Sequence, residues 1–326
     1  MFFNGFLIGY HVPGKLLHKV DIMLMRANSY YMGKRLPLAV ACIVSISSCA
    51  ILRAADYATE AFMREGDPEL AKAALPTMMK ASEAILLANP ANGEQALALA
   101  SLYVMYASAF LDGEAFLLPD DAWEQKRGLS IRAKALYLRA ADLLVPLVEA
   151  KIPGVFEMGL GERIGMQQEE NIAAHLKRKD VPLLYWTSAA ILAAFASDPM
   201  DFDNAGRISG ALTLFEQARG IAPDWNAGSL HELAITVYGS LPADLGGDRG
   251  KATAAFILAR AETGTNSPGP YLAYALSVCV AAADRDGFRT ALETAISLKN
   301  RPETALLDSL ARRKARRLLD DISLYF

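Results

Sequence analysis

Three segments of the chain share one spacing: an alanine, an aromatic residue four positions on, and a second alanine three further. Ala133, Tyr137 and Ala140 show it, as do Ala211, Phe215 and Ala218, and Ala252, Phe256 and Ala259. On a 3.6-residue helix such residues share a face. Small side chains let a neighbouring helix come close, and the ring fills the groove between them. The middle copy also has a proline, Pro223, where its helix should end. The three starts lie 78 and 41 residues apart, a pitch near 40. A chain built this way is expected to stack helix pairs.

The rest of the sequence agrees with an all-α class. Alternation of β-branched and polar residues is scarce, whereas Leu136, Tyr137, Ala140, Leu143, Leu144 and Leu147 form one apolar stripe on a helix of about 20 residues. Leu230, Leu233, Ala234, Val237, Tyr238 and Leu241 form another. Asp67-Pro68, Asp120, Asp180 and Asp248 read as helix starts. Asn89-Pro90, Lys151-Ile152-Pro153, Ser197-Asp198-Pro199, Ala222-Pro223 and Asn266-Ser267-Pro268 read as separators. The Ala-aromatic-Ala-Pro order is that of tetratricopeptide repeats, but the pitch exceeds their usual length of about 34 residues. The loops must be extended, as Gly239-Ser240-Leu241-Pro242-Ala243-Asp244-Leu245-Gly246-Gly247-Asp248 shows directly. The expected fold is a set of degenerate tetratricopeptide-like helical repeats in a compact right-handed array, one domain over residues 49–326. Hydrophobic residues at 53% and charged residues at 21% exclude a disordered or collagen-like chain.

Residues 1–48 read as an upstream extension followed by an address. Met32-Gly33-Lys34-Arg35 is a basic stretch, Leu36 to Ile46 an apolar run, and Ser47-Ser48-Cys49 a small-residue cleavage site. The run has about 11 residues, short of the roughly 20 needed to cross a bilayer. Ile46-Ser47-Ser48-Cys49 resembles a bacterial lipobox, so Cys49 is expected to carry lipid and to anchor the protein to a bacterial membrane on the periplasmic side. An ordinary cleaved signal, or an uncleaved anchor with Cys49 incidental, is the alternative. Translation is expected to begin at Met32 rather than Met1. Five of the 33 basic residues and Asp21 alone among the acidic ones fall in this region, so the remainder is acidic and nucleic acid is not an expected partner.

Gly228-Ser229-Leu230-His231-Glu232, Tyr238-Gly239-Ser240-Leu241-Pro242, Leu245-Gly246-Gly247-Asp248, Lys251-Ala252 and Gly269-Pro270-Tyr271 resemble the TRAP transporter T-component family, TatT, and Leu184-Tyr185-Trp186 and Cys49 are in keeping with it. The resemblance covers essentially the whole chain after the signal, and the G-S-L-P-x-x-L-G-G-D segment is its specific part. It implies a periplasmic lipoprotein of cryptic tetratricopeptide-like helix pairs. It also implies homotrimers, an apolar tunnel through each protomer and partnership with the substrate-binding P subunit of a TRAP transporter. Leu233 and Ala234 depart from the Phe and Ile common there, and the N-terminal extension is foreign to the family.

Motifs of covalent chemistry are not met. His231-Glu232 opens like a zinc-peptidase H-E-x-x-H, but Ile235 stands where the second histidine belongs. Gly246-Gly247-Asp248-Arg249-Gly250-Lys251 lacks the first glycine of a phosphate loop and is followed by Ala252. Those glycines read better as a turn, with Asp248 capping the next helix. Cys42, Cys49 and Cys279 form no metal-like set, and Cys279 sits in an apolar run. No catalytic residue, metal ligand or cofactor is expected. His231 reads first as an interior histidine and second as pocket lining. Tyr185, Trp186, Trp225, Tyr238, Tyr271 and Tyr274 either pack the core or, with His231, line a ligand or partner site, because tyrosine and tryptophan join apolar area to one polar tip. The basic run Arg312, Arg313, Lys314, Arg316 and Arg317 is expected to be a solvated face. Together with the signal and the helical repeat, the resemblance implies a non-enzymatic lipoprotein that associates with a TRAP-type solute-binding protein and receives or passes a small apolar or carboxylate ligand. A repeat scaffold for envelope assembly with no ligand of its own is the alternative.

Overall fold

Asp67 turns the chain into its first helix, its carboxylate accepting from the N–H groups of Glu69 and Leu70 while Pro68 takes the first helical position. The computed structural model describes residues 60–157, 172 and 175–326, so the address segment and Cys49 lie outside the described residues. The helices are α1 (Pro68–Ala88), α2 (Gly93–Leu117), α3 (Trp123–Glu149), α4 (Val181–Ser197) and α5 (Ile208–Ile221). They continue with α6 (Ser229–Ser240), α7 (Arg249–Glu262), α8 (Pro268–Tyr274), α9 (Arg285–Ser297) and α10 (Ala305–Asp320). Helix α2 contains a π turn at Ala107–Asp112, and α8 runs into another at Ala275–Cys279. Among the described residues there is no strand. The class is all-α.

Most of the expected boundaries hold, and the exceptions have local causes. Asp248 caps α7 by accepting from the Lys251 N–H at 3.0 Å, and α1, α4 and α5 stop just before Asn89-Pro90, Asp198-Pro199 and Ala222-Pro223. Asp120 does not start α3. A turn closed by Ala122 N–H on the Pro119 carbonyl intervenes, and Asp120 instead pairs with Lys126 at 2.8 Å. Asp180 stands at the start of α4 as expected, but its carboxylate turns back to accept from the Lys177 N–H and pair with Lys151 instead of capping the helix. Asn266-Ser267-Pro268 separates α7 from α8 as expected, with Pro268 at the first position of α8, where a missing donor costs nothing.

All nine residues of the three Ala-aromatic-Ala sets are buried, on α3, α5 and α7. Each aromatic ring of this size contributes on the order of 2–3 kcal/mol through burial. The alanines matter through what they admit. Ser188 of α4 donates to the carbonyl of Ala211 on α5 at 2.9 Å, a bond that requires the two backbones to lie close. Helices α1 to α5 pack successively on one another, α6 to α10 do likewise, and α10 also meets α1 and the end of α2. Arg313 of α10 pairs there with Glu69 of α1 at 3.2 Å.

That junction corrects the expected solvated basic face. Six consecutive helical positions sweep right round the helix, so the run cannot share one environment. Arg313 is exposed, but Arg312 donates to the Leu298 carbonyl at 2.7 Å, and Lys314 is enclosed near Asp112 with its ammonium 5.9 Å from the centre of the Phe116 ring.

The loop between α6 and α7 owes its course to its glycines. Leu245 and Gly247 N–H groups both bond the Pro242 carbonyl, and the Asp248 N–H returns to the Tyr238 carbonyl at 2.8 Å. Gly246 has a φ of 102°, in the left-handed region. A Cβ on Gly247 would run into the Leu241 carbonyl. Gly247→Ala should therefore cost about 2 kcal/mol or more, because backbone rather than a movable side chain must yield. Gly128, on α3, has nothing within 4 Å of a built Cβ. Gly128→Ala should stabilise by about 0.5–1 kcal/mol, and urea unfolding of the two variants would show opposite signs.

Candidate functional site

The six aromatic candidates separate into three groups. On α4 and the 3₁₀ turn Trp225–Gly228, Tyr185 meets Trp186 edge-on at 5.0 Å between ring centres and meets Trp225 at 4.7 Å. Tyr238 belongs to a second group. Its hydroxyl bonds Glu216 and accepts from Arg219 at 2.7 Å, its ring stands 6.3 Å from Phe215, and Lys251 lies over its face. Tyr271 and Tyr274 form the third with Phe256, Tyr274 stacked on that ring at 4.2 Å and Tyr271 edge-on at 5.4 Å. Arg260 lies over Phe256 and Tyr271. Tyr238 and Tyr271 are buried and hold helices together.

His231 is buried on α6, and its Nδ1 has no hydrogen-bond partner among the described residues. Burial first, and Arg219 second, push its pKa below the ordinary histidine value, so the ring is neutral at neutral pH. Cys279 is buried as expected, and burial pushes its thiol up to about 11, leaving little thiolate.

The neighbour of His231 entered the sequence analysis only as part of the family resemblance and of a failed zinc-peptidase motif. Glu232 is half-buried on α6. Tyr185 is half-buried on α4 and lies within electrostatic reach of Glu232. Among the described residues Glu232 makes no hydrogen bond or ion pair. Its carboxylate lies against the start of α8, its carbon 2.6 Å from the place a Cβ on Gly269 would take, so a larger residue there would displace the carboxylate.

Two further charges face Glu232. Arg301, in the segment between α9 and α10, and the buried Asp308 of α10 are committed to each other. Arg301 donates to Asp308 through its backbone N–H at 2.8 Å, Nε at 3.1 Å and Nη2 at 2.8 Å, and Nη2 also bonds Ser267 at 3.0 Å. The pair is internally neutral, and Glu232 is left as the uncompensated charge. Burial therefore dominates, partly offset by Arg301, and raises the Glu232 carboxyl to about 7. Sequence alone had one clue, a glutamate between Leu230 and Leu233 on an apolar helix. Arg301 and Asp308, some 70 residues on, had none.

The family model described as TRAP transporter T-component matches residues 64–326. A protein of Treponema pallidum (strain Nichols), described as uncharacterized, is 31% identical over 280 residues, 85% of each chain.

Glu232 sets a pH dependence. Its folded pKa of about 7 lies above the ordinary 4.5, so between those values the folded chain holds the extra proton, and stability falls as pH rises through that window. Glutamine does not titrate. The stability of Glu232→Gln relative to wild type should thus grow from pH 5 to pH 8, by at most about 3 kcal/mol. Urea unfolding at both pH values checks it, and a difference independent of pH would refute the assignment.

Proposed function

The chain belongs to the TRAP transporter T-component family, and from that premise we propose that it is a non-enzymatic lipoprotein working beside a transporter's substrate-binding subunit. Membership ties it to TRAP transport and so to the cell envelope. The finer reading is that Cys49 carries the lipid, that the domain over residues 49–326 stands in the periplasm as an array of degenerate helix pairs, and that it assembles as a homotrimer. In this reading it associates with the P subunit and receives or passes a small ligand, apolar or carboxylate-bearing.

One observation supports a ligand-handling role over a bare scaffold. Glu232 is a half-buried carboxylate with no partner among the described residues, within electrostatic reach of Tyr185, whose ring packs against Trp186 and Trp225. A scaffold gains nothing from a half-buried, unpaired carboxylate, which destabilises the fold at neutral pH. The non-enzymatic reading is supported by the inert setting of Cys279 and by a neutral His231 whose Nδ1 has no partner.

The test is a pull-down of the tagged full-length chain from detergent-solubilised native membranes, followed by mass spectrometry. A TRAP-type solute-binding protein should co-purify at near-stoichiometric yield, and the N-terminal peptide should begin at an acylated Cys49. Recovery of assembly factors without a solute-binding protein would overturn the transporter partnership in favour of the scaffold.

A further inference from the structure

Tyr137, the buried ring of the first Ala-aromatic-Ala set, has a polar tip that needs a partner. Its hydroxyl donates to Asp112 Oδ2 at 2.6 Å. Asp112 is the last residue of the π turn in α2, an irregularity of a kind found frequently at functional sites. It also lines an open cleft of about 410 Å³, a volume that suits a small ligand. The walls come from three stretches distant in sequence: the end of α2, the start of α3, and the end of α10 with the residues after it. Ala115, Phe116, Leu318 and Leu324 make part of the lining apolar.

Polar groups of both signs make up the rest, and their hydrogen-bonding capacity is only partly spent. Lys126 pairs with Asp120 at 2.8 Å, and Arg317 pairs with Asp321 at 2.7 Å. Tyr325 lies within electrostatic reach of all four, so the two pairs converge on one end of the cleft. Arg317 uses only Nε in its pair, and among the described residues its two terminal nitrogens have no partner. Two parallel N–H donors of that kind match a carboxylate. Asp112 spends Oδ2 on Tyr137, while its Oδ1 and the Ser130 hydroxyl accept from no described group. Burial raises the Asp112 pKa, and the Tyr137 hydrogen bond and the charge of Lys314 offset this only in part. A carboxylate in that setting gains from an incoming ammonium. The two ion pairs cancel in charge, so a ligand with a single charge would use either Asp112 or Arg317 and leave the other unspent.

We propose that this cleft binds a small amphipathic zwitterion, of which an α-amino acid with an apolar side chain is the simplest form. The ammonium would donate to Asp112 Oδ1 and Ser130 Oγ, the carboxylate would accept from the Arg317 terminal nitrogens, and the apolar part would lie along Phe116 and Leu324. The cleft shares no residue with the surroundings of Glu232, so the inference goes beyond the ligand-handling reading above and does not rest on it.

The experiment is calorimetric titration of the purified full-length chain with phenylalanine, phenethylammonium and 3-phenylpropanoate, which share one ring and differ in the charges they carry. Phenylalanine should bind about tenfold or more tightly than either of the others. Asp112→Asn keeps an acceptor for Tyr137, and in that variant phenylalanine and 3-phenylpropanoate should bind within about threefold of each other. In Arg317→Gln the same should hold for phenylalanine and phenethylammonium. Ala115→Trp, which fills the cleft and leaves both charges in place, should abolish binding of all three probes. Circular dichroism verifies the fold of each variant. A single-charge probe that binds as well as phenylalanine, a preference unchanged in both charge variants, binding that survives Ala115→Trp, or no binding of any probe would overturn the proposal. The comparison on the wild-type chain needs no variant, so a misfolded one would not shield the idea. Phenylalanine preference without recovery of a solute-binding protein would keep the site and remove the partner.

Discussion

Close approach between helices is the condition on which the rest of the molecule depends. Helices with large side chains at the crossing stand about 8–10 Å apart, and alanine at those positions allows the short end of that range. Ala133, Ala140, Ala211, Ala218, Ala252 and Ala259 supply it on α3, α5 and α7, with Tyr137, Phe215 and Phe256 filling the spaces left between them. The bond from Ser188 to the Ala211 carbonyl records how near the backbones come. Because α10 also reaches α1 and the end of α2, the stack is held at both ends of the chain.

Such packing constrains where polar groups can go. A charge inside an all-helical core must be paired or face a space that solvent or ligand can enter. The structure contains both solutions side by side. Arg301 and Asp308 satisfy each other, and Glu232 on α6 has surface and no described partner. Tyr185, on α4, lies within electrostatic reach of Glu232 from the other half of the helix stack. The site is thus assembled from the junction between the two runs of helices, where sequence-adjacent packing between α5 and α6 is thinnest.

The all-α class and the core faces were legible because they rest on local spacing: an Ala-x3-aromatic-x2-Ala set buries the same residues whatever the partner helix. The turn glycines were legible too, since Gly246 and Gly247 meet a backbone demand that only glycine satisfies. Asp120 misled because an aspartate before a helical stretch has the same appearance whether it caps a helix or pairs with a lysine beside it. Among site residues, spacing could identify aromatic side chains but not which of them share a space. Tyr185, Trp186 and Trp225 come together, whereas Tyr238 and Tyr271 are structural wedges. Glu232 went unnoticed because its significance lies in what Arg301 and Asp308 do to each other far along the chain, and no local pattern encodes that. Residues 1–59, which hold Cys49, belong to the sequence reading alone.

The ligand-handling reading stands on an unpaired Glu232 that small molecules can reach in the folded protein. The most direct measurement is the rate at which methyl methanethiosulfonate labels Glu232→Cys in the folded full-length chain, read at that residue by peptide mass spectrometry and compared with the unfolding rate. The account predicts labelling much faster than unfolding. Labelling that never outpaces unfolding would mean that the interior around Glu232 is closed, and the ligand-handling role would fall with it.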